Sequence, residues 1–172
     1  TITGGRVGEN SNVELVFRDF EEAGDTSLPG FIVYDGLSTD SWIYDSFSGD
    51  HFAEFSNFGA DTVSEDWLIL PGIDFALFNS GSFNFDNAKG FSGNDIEVLV
   101  STNYVSGNPN LATWDTLTSF ATLSTGFFND VNSGDVDLSN YLSSNTSIAW
   151  LSAGSGTSSS TAATWQIDDI QV

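Results

Sequence analysis

Residues 165–172 read WQIDDIQV, and this C-terminal stretch shows the pattern that decides the fold. Bulky apolar side chains alternate with polar ones at a period of two, which is typical of a β-strand. In a regular strand Asp168 shares a side with Ile170, and Asp169 shares the other side with Trp165. The stretch therefore predicts a strand on which each carboxylate lies among apolar groups.

Short alternating stretches of the same kind recur along the chain, bounded by Gly, Ser, Asn and Asp. No segment has the apolar period of an amphipathic helix. Ten or so short strands without a helix predict an all-β fold, an antiparallel β-sandwich whose two terminal strands pair or lie side by side. We assign Trp67, Trp150 and Trp165 to its core. The predicted strands lie near 13–18, 31–34, 42–44, 52–55, 67–70, 83–85, 96–100, 114–117, 136–138, 148–150 and 165–172.

The 172 residues suit one domain, which can bury about 70% of the surface that the unfolded chain exposes. We expect residues 13–172 to form that domain and residues 1–12 to be a linker remnant or N-terminal extension. The absence of Cys excludes disulfides and thiol chemistry. No apolar run is long enough for a membrane span, so we expect no membrane insertion. The chain starts at Thr1 without a signal-like segment, so we expect a monomeric module of a larger protein.

The charge is strongly unbalanced, because 24 acidic residues face three basic ones and give a net charge of −21. Nucleic-acid binding depends on Lys and Arg that neutralise phosphates, so the composition excludes that class of partner. An anionic membrane surface is excluded for the same reason. Two uses of the acids remain: ligation of hard cations such as Ca²⁺, and solubility in salty water.

The two adjacent aspartates of the last strand favour a metal site. A carboxylate turned toward a core is costly unless it is paired or binds a metal, and this chain has few cations to pair with it. We predict that Asp168 binds a structural Ca²⁺, with Glu21 and Asp50 as its partners from elsewhere in the chain. No EF-hand loop is present. The alternative is an aspartate at the sheet edge that accepts hydrogen bonds from backbone amides.

Aromatic residues in polar or glycine-rich stretches are candidates for ligand binding. Trp42 and Tyr44 lie in a polar stretch, Phe91 lies in a glycine-rich one, and Phe127 and Phe128 follow a glycine. Such rings either stack on the apolar faces of sugars or close the ends of the sandwich. We take Trp42, Tyr44 and Phe91 as the candidate ligand-binding residues.

The sequence gives little support for catalysis. His51 is the only histidine, no G-x-S-x-G elbow occurs, and a catalytic zinc usually needs two or three histidines. A pair of carboxylates could hydrolyse a glycosidic bond, but in so acidic a chain suitable pairs arise by chance. We therefore expect no enzyme.

Seven short motifs occur in an order that resembles a known family. The order resembles that of the choice-of-anchor J and cleaved-adhesin domains of secreted bacterial proteins, which are distantly MAM-like, and the likeness extends from Val13 to Val172. The motifs are Phe20-Glu21, Leu28–Phe31 (LPGF), Gly49–Glu54 (GDHFAE), Glu65–Pro71 (EDWLILP), Gly93–Ser101 (GNDIEVLVS), Gly134–Ser139 (GDVDLS) and Trp165–Ile170 (WQIDDI).

The resemblance implies a jelly-roll β-sandwich with bound calcium, and an accessory role on a larger exported protein. It maps the acids of two family motifs onto Glu21 and Asp168, with Asp50 as a looser match. We expect a non-catalytic, calcium-stabilised carbohydrate-binding module appended to a secreted bacterial enzyme, with a polysaccharide or cell-surface glycan as its partner. The alternative is a calcium-dependent adhesion or protein-interaction domain of a cell-surface protein.

Overall fold

The computed structural model describes residues 13–21, 27–60, 62–158 and 160–172, so the predicted extension at 1–12 lies outside the described residues. The described chain forms twelve strands and two short 3₁₀ turns, Pro109–Leu111 and Thr118–Phe120. The strands are β1 (Phe17–Arg18), β2 (Ile32–Asp35), β3 (Ile43–Phe47), β4 (Asp50–Ser56), β5 (Val63–Ile73), β6 (Ser82–Gly90), β7 (Glu97–Ser101), β8 (Asp115–Thr116), β9 (Val131–Asn132), β10 (Val136–Asp137), β11 (Thr146–Ser155) and β12 (Thr164–Gln171).

The strands form two antiparallel sheets. The larger sheet has the order β10-β6-β12-β4-β3, with β1 paired to β12 and β9 paired to β6. The smaller sheet has the order β2-β5-β11-β7-β8. The chain changes sheet at most of its long connections, so the two sheets close over a shared core. The predicted antiparallel β-sandwich is confirmed, and so is the pairing of the terminal strands.

The core between the sheets is built from aromatic rings. Trp150 of β11 is fully buried, and its ring meets the edge or face of Phe85 at 5.3 Å and of Phe83 at 6.4 Å between centroids. Trp165 is also fully buried, as predicted. Trp67 is buried as well, but it belongs to a smaller cluster on the other side of β5, where its ring packs on Trp114 at 5.3 Å.

A β-bulge in β12 corrects the simple alternation expected for the last strand. The pairing register with β6 shifts between Asp168 and Gln171, and Asp169 adopts a left-handed φ of 45°. As a result Ile167 and Ile170 both enter the core, although they are three residues apart. Asp168 therefore does not share a side with Ile170 as predicted, but lines the outer face of the larger sheet.

The N-terminal strand is shorter than the predicted stretch 13–18. Only Phe17 and Arg18 pair with β12 as a strand. Ahead of them, the backbone N–H of Leu15 donates to the carbonyl of Val172 at 2.7 Å, and Val172 donates to the carbonyl of Val16 at 2.9 Å. Within the described residues no helix is long and apolar enough to cross a membrane.

Replacing Phe85 with Ala should destabilise the domain by about 3–5 kcal/mol, because it removes a fully buried ring that packs on Trp150. Urea denaturation measures this change in the free energy of unfolding. The control Leu77→Ala alters a side chain that is 94% exposed and should change the same quantity by less than about 0.5 kcal/mol. Equal effects of the two substitutions would contradict the described core.

Candidate functional site

A cavity of about 680 Å³ lies on the outer face of the larger sheet, across β3, β4, β6 and β12. We call it the acidic groove. It is lined by Asp45, Ser46, Phe47, Asp50, Phe52, Glu54, Asp86, Asn87, Ala88, Phe128, Asp130, Thr164, Gln166, Asp168 and Asp169.

The pairing of three neighbouring strands brings the groove's polar side chains together. Gln166 of β12 lies opposite Glu54 of β4 on one side and Ala88 of β6 on the other. Opposite residues of antiparallel strands share a face, so these side chains form one row. The Gln166 amide donates a hydrogen bond of 2.9 Å to the Glu54 carboxylate, which fixes the orientation of both groups.

Asp168 is the most perturbed carboxylate of the groove. It lies opposite Asp86, and its Oδ1 atom is buried without a hydrogen-bond partner among the described residues. Burial is the main cause that raises the pKa of Asp168 to about 8; the charges of Asp169, Asp50 and Glu21 contribute to this rise, and the hydrogen bond from the backbone N–H of Asp169 opposes it. Near neutral pH this group therefore holds a proton or needs a cation beside it.

The other acids reinforce the negative potential. Burial raises the pKa of Glu54, of Asp130 and of Asp169, and a neighbouring carboxylate adds to each shift. Seven of the lining residues carry carboxylates, and none of the described lining residues is Lys, Arg or His. The groove thus attracts cations, admits neutral polar molecules and repels anions.

The three predicted metal ligands lie in one neighbourhood, but they do not form a ready metal site. Glu21 is engaged by His51, which donates from its backbone N at 2.8 Å and pairs through Nδ1 at 3.1 Å. These two bonds lower the pKa of Glu21. Asp50 lines the groove and is close enough to raise the pKa of Asp168. Across the described ranges, no group of three or more His, Cys, Asp or Glu side chains is arranged to hold a metal ion.

None of the three predicted aromatic residues lines the groove. Trp42 is only 3% exposed, its ring packs on Phe55 at 5.6 Å, and its Nε1 donates to the carbonyl of Asp66 at 3.1 Å. The expectation of a ligand platform at Trp42 is therefore wrong, because the ring closes the sandwich instead. Tyr44 is half-buried and stacks on His51 at 5.4 Å between centroids.

Phe91 is exposed, and it contacts an aromatic residue that does line the groove. Its ring is 55% exposed and meets Phe128 edge to face at 6.1 Å. Phe128 packs directly over Gly90, where an added Cβ would lie 2.2 Å from the ring. Both phenylalanines have a positive φ, which is costly for residues other than glycine and often occurs at functional sites.

The sequence signalled some of these residues and missed others. The sequence marks Phe128 only as one of two aromatic residues that follow a glycine. Glu54 and Gln166 occupied outward positions of predicted strands, but nothing in the sequence showed that those strands are neighbours. Asp86 lies on β6 beyond the predicted stretch 83–85, and Asp130 lies in a connection without a strand signal.

Comparison with known proteins relates the chain to solved structures alone. No family model matches it, and no curated protein matches it significantly. It is similar to the K3 cleaved adhesin domain of Lys-gingipain from Porphyromonas gingivalis, with 13% identity, a TM-score of 0.59, and coverage of 92% of this chain and 98% of that one. The K1 cleaved adhesin domain of the same protein is 15% identical, with a TM-score of 0.55 and coverage of 91% of this chain and 95% of that one.

A carbohydrate-binding module is a further structural neighbour. The family 11 module of a cellulosomal cellulase from Clostridium thermocellum is 14% identical, with a TM-score of 0.52 and coverage of 94% of this chain and 95% of that one. At such identities the likeness shows the fold alone, and it confirms the predicted jelly-roll β-sandwich. Membership of the choice-of-anchor J family stays a prediction.

In metal-free buffer the melting temperature should fall as pH rises from about 4 to about 8. The reason is that the raised pKa of Asp168 lets the folded chain hold a proton that the unfolded chain releases. This stability is complete below the unfolded pKa and is lost as pH passes the folded one. Asp168→Asn should flatten the slope of melting temperature against pH.

The control Glu97→Gln removes one negative charge from an exposed position on β7 and should leave that slope unchanged. Scanning calorimetry of the three proteins over this pH range measures the difference. The assignment to Asp168 would be refuted by equal slopes in wild type and Asp168→Asn.

Proposed function

We propose that this chain is a non-catalytic binding module that holds a polysaccharide or cell-surface glycan in the acidic groove. The observation that carries the proposal is a cavity of about 680 Å³ that combines hydrogen-bonding side chains with the exposed aromatic pair Phe91–Phe128 at its margin. Carboxylate and amide groups match the hydroxyls of sugars, and aromatic faces pack on their C–H surfaces.

The structural neighbours support a binding role. Those neighbours are adhesin domains and a carbohydrate-binding module, each covered almost in full by this chain. The chain's one histidine also suits a structural role better than a catalytic one. His51 pairs with Glu21 and stacks on Tyr44, and no described serine hydroxyl bonds to it.

The negative charge of the groove limits the class of glycan that it can bind. Seven carboxylates, with no Lys, Arg or His among the described lining residues, repel uronate or sulfate groups, so we propose a neutral or amine-bearing glycan. An anionic polymer would need calcium to bridge it to the protein.

We also propose that Ca²⁺ stabilises the module beside Asp168, with Asp50 and Glu21 as further ligands. The buried, unpartnered Oδ1 of Asp168 and the all-oxygen donor set suit this hard cation. Glu21 would have to turn from His51 to take part. When bound, the ion would supply the positive charge that the described part of the groove lacks.

We further propose that the module belongs to a secreted bacterial protein, appended to an enzyme. A calcium-dependent adhesion or protein-interaction domain of a cell-surface protein is the second candidate. The fold likeness to the gingipain adhesin domains favours that second candidate, as does Phe127, which is fully exposed next to the groove-lining Phe128.

Phe128→Ala should weaken glycan binding roughly tenfold, equivalent to about 1.4 kcal/mol, because it removes the ring that lines the groove. Affinity electrophoresis of the 172-residue chain on xylan, mixed-linkage β-glucan, chitosan and alginate measures retardation. Phe120→Ala is the matched control, since Phe120 is 68% exposed and does not line the groove.

Retardation by none of the four polymers would count against a carbohydrate ligand and favour the adhesion role. Equal retardation of the Phe128→Ala and Phe120→Ala variants would show that Phe128 does not contribute to glycan binding. Release of reducing sugar by the purified chain would identify a glycosidase instead.

Calcium at a hundredfold excess over its Kd should stabilise the fold by about 2.7 kcal/mol, which EDTA should reverse. A thermal melt with EDTA and then with millimolar Ca²⁺ measures the shift as a rise of several degrees. Asp168→Ala should abolish the part of that rise due to the groove. A full calcium response in the Asp168→Ala variant would show that the ligand assignment is wrong.

A further inference from the structure

We propose that a divalent cation, Ca²⁺ by its ligand chemistry, binds at a second place, at the end of the sandwich beside Asp66. This site is separate from the acidic groove and shares no residue with it. It consists of Asp66 and Ser64 from β5 and of Asp35, Ser38 and Asp40 from the end of β2 and the connection to β3.

Asp66 is directed into the interior of the sandwich. Along β5 it lies two and four residues before Leu68 and Leu70, which belong to the main core, so the three side chains share a face. Its side chain is fully buried, with a relative exposure of 0%. Residues 36–42 link β2 of the smaller sheet to β3 of the larger sheet at this end.

The hydrogen bonds leave one carboxylate oxygen unsatisfied. The Ser38 hydroxyl donates to Oδ2 of Asp66 at 3.2 Å and accepts from the backbone N–H of Asp40 at 3.1 Å. The Ser64 hydroxyl donates to Oδ2 of Asp40 at 3.3 Å. Oδ1 of Asp66 is buried and has no partner among the described residues. A buried carboxylate oxygen without a donor is costly and is an open position for a ligand.

The surroundings add negative charge to this position. Asp35 lies opposite Asp66 in the register of β2 and β5, on the same face. The ion pairs among the described residues join Lys89 to Asp95 and His51 to Glu21, so neither cation serves Asp66. Burial, with a contribution from the charges of Asp35 and Asp40, raises the pKa of Asp66 to about 7 although the Ser38 hydrogen bond opposes the shift. A cation or a proton must therefore compensate this carboxylate at neutral pH.

The donor chemistry favours calcium. Carboxylates, hydroxyls and nearby carbonyls are all oxygen donors, and Ca²⁺ takes about six to eight of them in flexible geometry. In the described residues, Asp35, Asp40 and Asp66 are not close enough together to form a cluster of three metal ligands. Binding would draw Asp35 and Asp40 onto Asp66 and tighten residues 36–42 against β5, where Gly36 already donates to the carbonyl of Glu65 at 2.8 Å.

Trp42 provides a direct readout for this site. Its indole Nε1 donates to the backbone carbonyl of Asp66 at 3.1 Å, so the ring lies beside the proposed ion. Terbium, which replaces calcium at oxygen sites, should therefore emit when tryptophan is excited. The experiment uses the full 172-residue chain in an Asp168→Ala background, which removes the groove site, and titrates Tb³⁺ with Ca²⁺ as competitor.

The expected result is sensitised Tb³⁺ emission that calcium displaces, together with a calcium-dependent rise in melting temperature. Asp66→Asn should abolish both. Asp40→Asn changes a less buried residue and should weaken the affinity for Tb³⁺ and Ca²⁺ roughly tenfold or more. It is the alternative test variant if Asp66→Asn does not fold. Trp42→Phe should reduce the emission while it keeps the rise in melting temperature.

Several results would overturn the proposal. The first is an Asp168→Ala protein that binds no ion; the second is an Asp66→Asn variant with unchanged emission and melting response. A third is an Asp168→Ala protein whose melting temperature ignores calcium while Asp66→Asn raises that temperature in EDTA, since asparagine mimics the protonated acid and a proton would then be the occupant. Glycan retardation should be the same with and without Asp66→Asn, so failure here is distinct from failure of the groove proposal.

Discussion

The central position of β12 is the constraint on which the rest of the structure depends. This last strand pairs with β4 on one side and with β6 on the other, and β1 joins it at its end. The larger sheet therefore cannot form completely until the C-terminal strand has paired with both of its neighbours. The bulge at Asp168 and Asp169 then lets Ile167 and Ile170 both fill the core. The bulge therefore accounts both for the inward packing of Ile170 and for its separation from Asp168, which faces outward.

Excess negative charge is the second constraint, and the fold limits to a few positions the carboxylates that are both buried and without a partner. The cation Lys89 is buried, where it pairs with Asp95 at 2.6 Å and lies over the ring of Trp165 at 5.3 Å. Most carboxylates lie at the surface, where water and salt screen them. The exceptions are Asp168 in the groove and Asp66 at the sandwich end, each with a buried oxygen that lacks a partner. Those two positions are where we expect a bound proton or cation to have the largest effect on stability.

The strands of the larger sheet keep the residues that stabilise the fold apart from those that line the groove. Inward side chains of β4, β6 and β12 make the core, and the outward side chains of the same strands line the groove. Phe128 comes instead from a connection and is held over Gly90, so its position depends on the absence of a side chain there. Substitutions in the groove can therefore alter the proposed binding surface without disturbing the core.

The sequence by itself determined the fold class, because period-two alternation and the absence of helical periodicity leave few architectures other than an antiparallel sandwich. It also identified Asp168 as a carboxylate in need of a partner, since so few cations are available. Only the tertiary structure decided which strands are neighbours, and hence that Glu54, Asp86 and Gln166 meet Asp168 in one groove. The reason is that alternation gives the face of each residue within a strand, whereas strand order, the bulge in β12 and the burial of Trp42 arise from contacts between residues far apart in the chain.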